Sequence, residues 1–222
     1  MSGVTAEGSP IVVATPYGPG HVVLDRPLAS SEAGAPSAPL VVLGHGASGD
    51  SAAPDILAVR DALVAAGCVV ARTVQPYRVA GRRVPAPVAQ LDEAFALLVA
   101  EAQHQVPAGV VLVVGGRSNG ARVAARTASA LGARGLLALS FPLHPPGRPD
   151  KSRAPELAGA GVPALVLQGQ RDAFGGPSEL AAAVPGPRIH VIGGAGHSPR
   201  LGHALAEAAS VAAEWVLGGL GD

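Results

Sequence analysis

Short apolar runs rich in Val, Leu and Ile recur along this chain and alternate with longer, Ala-rich segments. That ordering predicts an α/β protein with a mostly parallel sheet. Strands are expected over 11–14, 21–25, 40–43, 69–74, 110–114, 136–140, 164–168 and 189–192. Helices are expected over 54–66, 87–103, 119–131, 177–184 and 199–217, several of them opening with Pro, which suits a first helical turn. The first two strands are joined by Thr15-Pro16-Tyr17-Gly18-Pro19-Gly20, a link short enough for an antiparallel hairpin. The runs at 40–43 and 110–114 are apolar without alternation, as expected where helices cover both faces of a sheet. Residues 27–39, with Ser, Ala, Gly and Pro, read as an exposed loop rather than a domain linker.

Composition narrows the class. The 222 residues suit one domain spanning 1–222. Hydrophobic residues make up 48% and aromatics 3%, so Val, Leu and Ala must fill the core, and stacked bases or aromatic cages are disfavoured. With 16 Lys+Arg against 16 Asp+Glu, the formal charge is zero and offers no footprint for nucleic acid. The single Cys68 permits no intramolecular disulfide or multi-cysteine metal site, and it reads as a small buried hydrophobe. The first residues lack the basic and apolar regions of a signal peptide, and no run approaches a membrane span, so a cytoplasmic location is expected.

In parallel sheets flanked by helices, ligands gather beyond the carboxyl ends of the strands, so the residues after each strand carry the functional reading. After VVLVV comes Gly116-Arg117-Ser118-Asn119-Gly120, a G-x-S-x-G turn from strand to helix that lifts a serine oxygen above the sheet. After ALVLQ comes Gly169-Gln170-Arg171-Asp172, and after IHVIG comes Gly194-Ala195-Gly196-His197. Ser118, Asp172 and His197 thus follow the chain order of nucleophile, acid and base in hydrolases of this α/β kind.

Gly44-His45-Gly46-Ala47-Ser48-Gly49 supports two readings. It matches the G-x-G-x-x-G dinucleotide fingerprint, and it also resembles a His-Gly loop whose backbone N–H completes an oxyanion hole. The next strand ends in ARTVQPYRVAG without the acidic residue an NAD site wants, although Arg72 or Arg78 suits an NADP phosphate. His45 is expected to shape the oxyanion loop, while His21, His104, His190 and His203 fall in a hairpin, a helix end, a strand and the last helix. No His or carboxylate pair shows metal-ligand spacing, and no cofactor is expected.

Together, LGHGASGD, VVGGRSNGAR, SFPLHPPGRP, VPALVLQGQRDAFG and GAGHS, spread over residues 40–198, resemble the small, lidless α/β-hydrolases of the dienelactone-hydrolase-like group. The nearest likeness is to bacterial relatives of the testis-expressed and non-specific-lethal-complex hydrolase-like proteins. The resemblance implies an eight-stranded sheet without a cap domain, with Ser118 as nucleophile, Asp172 as acid and His197 as base. The group commonly has Met after the nucleophile, where this sequence has Asn119. The backbone N–H groups of Ala47 and Asn119 would take the oxyanion, and the substrate would be a small ester, thioester or lactone. Only residues 144–163 link the sixth strand to the seventh, too few and too rich in Pro and Gly for a helical cap, with His144 and the prolines after it as one wall of an open site. Two other functions stay open on sequence: the same fold kept as a binding protein without turnover, and an NADP-dependent oxidoreductase.

Overall fold

The computed structural model describes residues 9–27, 39–47, 49, 51–200 and 202–218. Most of the loop expected over 27–39 lies outside those residues. The chain runs β1 (Ile11–Val13), β2 (Gly20–Asp25), β3 (Leu40–Gly44), α1 (Pro54–Ala65), β4 (Val69–Val74), α2 (Pro76–Val79), α3 (Val88–His104) and β5 (Leu112–Arg117). It continues with α4 (Asn119–Thr127), β6 (Gly135–Leu139), α5 (Ala154–Ala158), β7 (Ala164–Gly169), α6 (Pro177–Ala183), β8 (Arg188–Ile192) and α7 (Gly202–Gly218). One eight-stranded sheet has the order β1-β2-β4-β3-β5-β6-β7-β8. The first three strands in that order pair antiparallel and the rest parallel.

The unalternating strands are buried on both faces, and their residues divide by the two-residue pleat. Leu40, Val42, Leu112 and Val114 join the core under α3 and α4 with Phe95 and Leu98. Val41, Leu43 and Val113 join the opposite core with Ile56 and Leu63 of α1 and Trp215 of α7. Cys68 lies in this second core, where burial pushes its thiol up to about 11 and keeps it protonated at neutral pH.

Several boundaries differ from the sequence expectation. The strand expected over 110–114 spans Leu112–Arg117, because Gly115 and Gly116, poor strand formers by propensity, pair in register with Leu43 and Gly44. The helix expected over 119–131 ends at Thr127 and continues as a turn closed by Leu131 N–H on the Thr127 carbonyl. The last helix begins at Gly202 rather than 199, with residue 201 outside the described set. The short helix α2 and the helical turns at Pro149–Lys151 and in α5 were not expected, being too brief to show a period. None builds a cap over the sheet.

Arg72, weighed above as a phosphate ligand, faces inward. It is 1% exposed, and its Nε donates to Asp25 Oδ2 at 2.7 Å, while Arg60 Nη1 donates to Asp25 Oδ1 at 2.7 Å. This pairing ties β2 to β4 and α1. Removing one member of a buried ion cluster strands the others without compensation, at a cost of about 3–5 kcal/mol. Asp25→Ala should therefore lower unfolding free energy by about that amount in urea titration. A loss below about 1 kcal/mol, the scale of an exposed pair, would show that the cluster is not a structural fastening.

Candidate active site

The chain leaves β5 through Ser118, whose φ of 52° and ψ of −110° place it in a region that L-residues rarely occupy. Such strain costs about 1–3 kcal/mol and persists only where the surroundings enforce it. Here the enforcement is backbone contact. A Cβ on Gly120 would stand 2.4 Å from the Gly44 carbonyl oxygen, and one on Gly116 would meet the same oxygen at 2.4 Å. The glycines on either side of Ser118 thus let α4 and β3 close together, and Ser118 N–H is held by the Leu139 carbonyl at 2.9 Å.

The structure brings Ser118, His197 and Asp172 together. His197 Nε2 lies 2.8 Å from Ser118 Oγ, and His197 Nδ1 lies 2.8 Å from Asp172 Oδ2. The tautomer with its proton on Nδ1 donates to the carboxylate and leaves the Nε2 lone pair to accept from the serine hydroxyl. Asp172 is 5% exposed and also accepts from Gln168 Nε2 at 3.0 Å and from Phe174 N–H at 2.9 Å. The Phe174 ring lies against the His197 ring, centroids 4.2 Å apart. Asp172 and His197 follow β7 and β8, and these loops are laced together by Arg171 N–H on the Ala195 carbonyl at 2.8 Å and Gly194 N–H on Gln170 Oε1 at 2.9 Å.

Ala47 and Asn119 line a cleft of about 390 Å³ together with Ser118 and His197. Asn119 is the first residue of α4, so its N–H has no partner within the helix. His45 is 2% exposed and clamps the loop that presents Ala47. Its Nε2 accepts the Gln75 N–H at 3.1 Å, which leaves Nδ1 to donate to the Gly46 carbonyl at 2.7 Å. Tyr77 Oη donates to the Ala47 carbonyl at 2.7 Å. His144, in contrast, does not line the cleft. It bonds the Pro145 carbonyl and Glu179 of α6, and the wall on that side is Pro142.

Sequence reasoning missed Arg117, which fills a position where the G-x-S-x-G motif asks nothing. Its Nε donates to Asp55 Oδ2 at 2.9 Å, and its Nη2 reaches the His197 carbonyl at 3.3 Å and the Ser198 hydroxyl. One side chain on the serine turn therefore braces the histidine loop against α1.

Fold and site together define an α/β-hydrolase. The alpha/beta hydrolase domain family model matches residues 37–213, and the chain belongs to that family. The structure is similar to an alpha-beta serine hydrolase homologue from Coxiella burnetii, with TM-score 0.75 at 16% identity, covering 96% of this chain and 99% of that one. It is also similar to a serine hydrolase without lid from Xanthomonas campestris, with TM-score 0.72 at 19% identity and coverage of 96% and 95%. A dienelactone hydrolase from Anabaena variabilis matches with TM-score 0.72 at 18% identity, covering 96% and 97%. Among the described residues, the connection from β6 to β7 holds only the turn at Pro149–Lys151 and α5, and no helical cap covers the strand ends. No helix among the described residues is long and apolar enough to cross a membrane.

If Arg117 braces the histidine loop, Arg117→Met should raise amide hydrogen exchange across residues 195–199 by roughly tenfold, since a charge-assisted bond is worth about 1.5–3 kcal/mol. Unchanged protection there would mean that the loop is held by its bonds to the β7 side alone.

Proposed function

We propose that this protein, as a single domain, hydrolyses carboxylic esters of small acyl substrates through Ser118, His197 and Asp172, with thioesters and lactones open to the same chemistry. The observation that carries this reading is the continuous hydrogen-bonded line from Ser118 Oγ through the His197 ring to the buried Asp172 carboxylate. His197 Nε2 takes the hydroxyl proton as Ser118 Oγ attacks the carbonyl carbon, and Asp172 steadies the imidazolium that forms. The carbonyl oxygen gains its negative charge where the Ala47 and Asn119 N–H groups can donate to it, and one such donor is typically worth about 10²–10³ in rate. His197 returns the proton to the leaving alkoxide, giving an acyl-serine. Water activated by the same histidine then releases the acid.

A fluorophosphonate probe should label the wild-type protein at Ser118, because only an activated serine oxygen attacks phosphorus at a useful rate. Ser118→Ala should abolish both labelling and turnover of an activated aryl ester, and Asp172→Asn should lower turnover by about 10⁴, the loss another triad suffers without its acid. Labelling at a different residue, or near-wild-type turnover by folded Ser118→Ala protein, would reject the assignment.

Substrate size follows from the missing cap. The β6–β7 connection holds only the turn at Pro149–Lys151 and α5, and the cleft of about 390 Å³ is lined by Pro142 and Phe174 rather than by a deep apolar channel. Each methylene left in water forgoes about 0.8 kcal/mol of binding. Efficiency on p-nitrophenyl esters from about two to sixteen carbons should peak among the short chains. A steady increase in kcat/KM toward the longest would overturn the small-substrate reading.

A further inference from the structure

The cleft around Ser118 is lined by three arginines, Arg117, Arg122 and Arg153, and by no carboxylate. Two of the three are neutralised from behind. Arg117 pairs with Asp55 at 2.9 Å, and Arg122 makes a two-point contact with Glu156. Glu156 is shared with Arg126 at 3.0 Å, and Arg126 is also held by Asp92. Burial alone would raise the Glu156 carboxyl, but the hydrogen bonds and charges of Arg122 and Arg126 outweigh it and hold Glu156 below the usual carboxylate range. This cluster of two cations and two anions is balanced within itself.

Arg153 is the remainder. It sits at the start of α5, half-buried, with its backbone N–H fixed by the Leu143 carbonyl at 2.7 Å and Nη1 donating to the Pro142 carbonyl at 3.2 Å. Among the described residues no carboxylate pairs with its guanidinium. Burial and the neighbouring Arg122 charge lower its hold on its proton, the Glu156 charge offsets part of that without forming an ion pair with it, and the guanidinium stays charged; three arginines thus stand against the two carboxylates of Asp92 and Glu156. A half-desolvated cation, held by the Pro142 carbonyl on a main chain fixed at Leu143 and facing a cleft lined by no carboxylate, is complementary to a bound anion.

We propose that Arg153 anchors a carboxylate carried by the substrate, so that the esters this protein prefers are monoanions with a carboxylate beyond the scissile bond. The inference rests on the Ser118 hydrolase reading and names the substrate class for that site. The planar fork of Arg153 can meet both carboxylate oxygens, and its free donors point the substrate along the cleft wall made by Pro142.

The test compares charged and neutral substrates of similar shape. One arm uses p-nitrophenyl hemiglutarate against p-nitrophenyl valerate, placing the carboxylate on the acyl side. The other uses 4-acetoxybenzoate against its methyl ester, placing it on the leaving group. Wild type should favour the anion at least tenfold in kcat/KM in one arm. Arg153→Gln should bring that ratio near one, and Arg153→Lys should retain part of it. A ratio at or below one in both arms, or one that Arg153→Gln leaves intact, overturns the proposal while leaving the hydrolase reading standing if the neutral esters turn over. Should no ester turn over, the hydrolase reading fails by itself. Calorimetric titration of monomethyl glutarate into Ser118→Ala protein then decides the anion site: binding that Arg153→Gln removes supports it, and absence of binding refutes it.

Discussion

The site depends on one steric constraint, the approach of Gly120 to Gly44. With a Cβ on Gly120 only 2.4 Å from the Gly44 carbonyl oxygen, any larger residue would force α4 away from β3. The Ser118 turn would then relax, and with it the unfavourable φ of 52° that lifts the hydroxyl above the strand ends. The same approach brings the start of α4 beside the loop after β3, so the N–H groups of Asn119 and Ala47 come to one cleft. A contact between two backbones thus positions both the serine and the groups that face it, and it does so without flexible side chains whose ordering would cost entropy.

Charge is used sparingly but in concentrated places. Only 14% of the residues are charged, and the core is assembled from Val, Leu and Ala that pack without directional preference. Directionality comes from a few enclosed ion pairs. Asp25 with Arg60 and Arg72 fastens the antiparallel side of the sheet, and Asp55 with Arg117 joins α1 to the serine turn. Arg122, Arg126, Asp92 and Glu156 connect α4 to α3 and α5. Partly buried pairs of this sort contribute little net stability relative to apolar packing, but breaking them is costly, so they fix which arrangement is adopted.

Much of this was legible in the chain because the strands are short, apolar and followed at once by unusual residues. All eight strands and the five longer helices were expected, and so were Ser118, Asp172 and His197, which the fold brings within hydrogen-bond distance of one another. The strand edges failed where glycine replaced apolar residues, since Gly115 and Gly116 owe their pairing to neighbours rather than to propensity. Arg72 was misread for a related reason. Periodicity says that a position is inside but not what waits across the sheet, and Asp25, distant in sequence, makes burial of Arg72 tolerable. Arg117 and Arg153 carried no signal at all, one lying at a free position of its motif and the other in a turn-rich connection.

The lack of a lid places particular demands on the loops. In a capped enzyme, helices above the sheet can press the histidine loop into place, whereas here that loop has solvent on its outer side. Its positioning must come from below and from the side. The structure supplies this through the Phe174 ring against His197, the two carboxylate oxygens of Asp172, and the Arg117 contact with the His197 carbonyl. Gln168, fully buried in β7, donates to Asp172 and to the Gly175 carbonyl, so the acid is fixed by the sheet itself. An open cleft and an ordered histidine are therefore compatible, because the ordering contacts all come from the strand ends and leave the approach to Ser118 unobstructed.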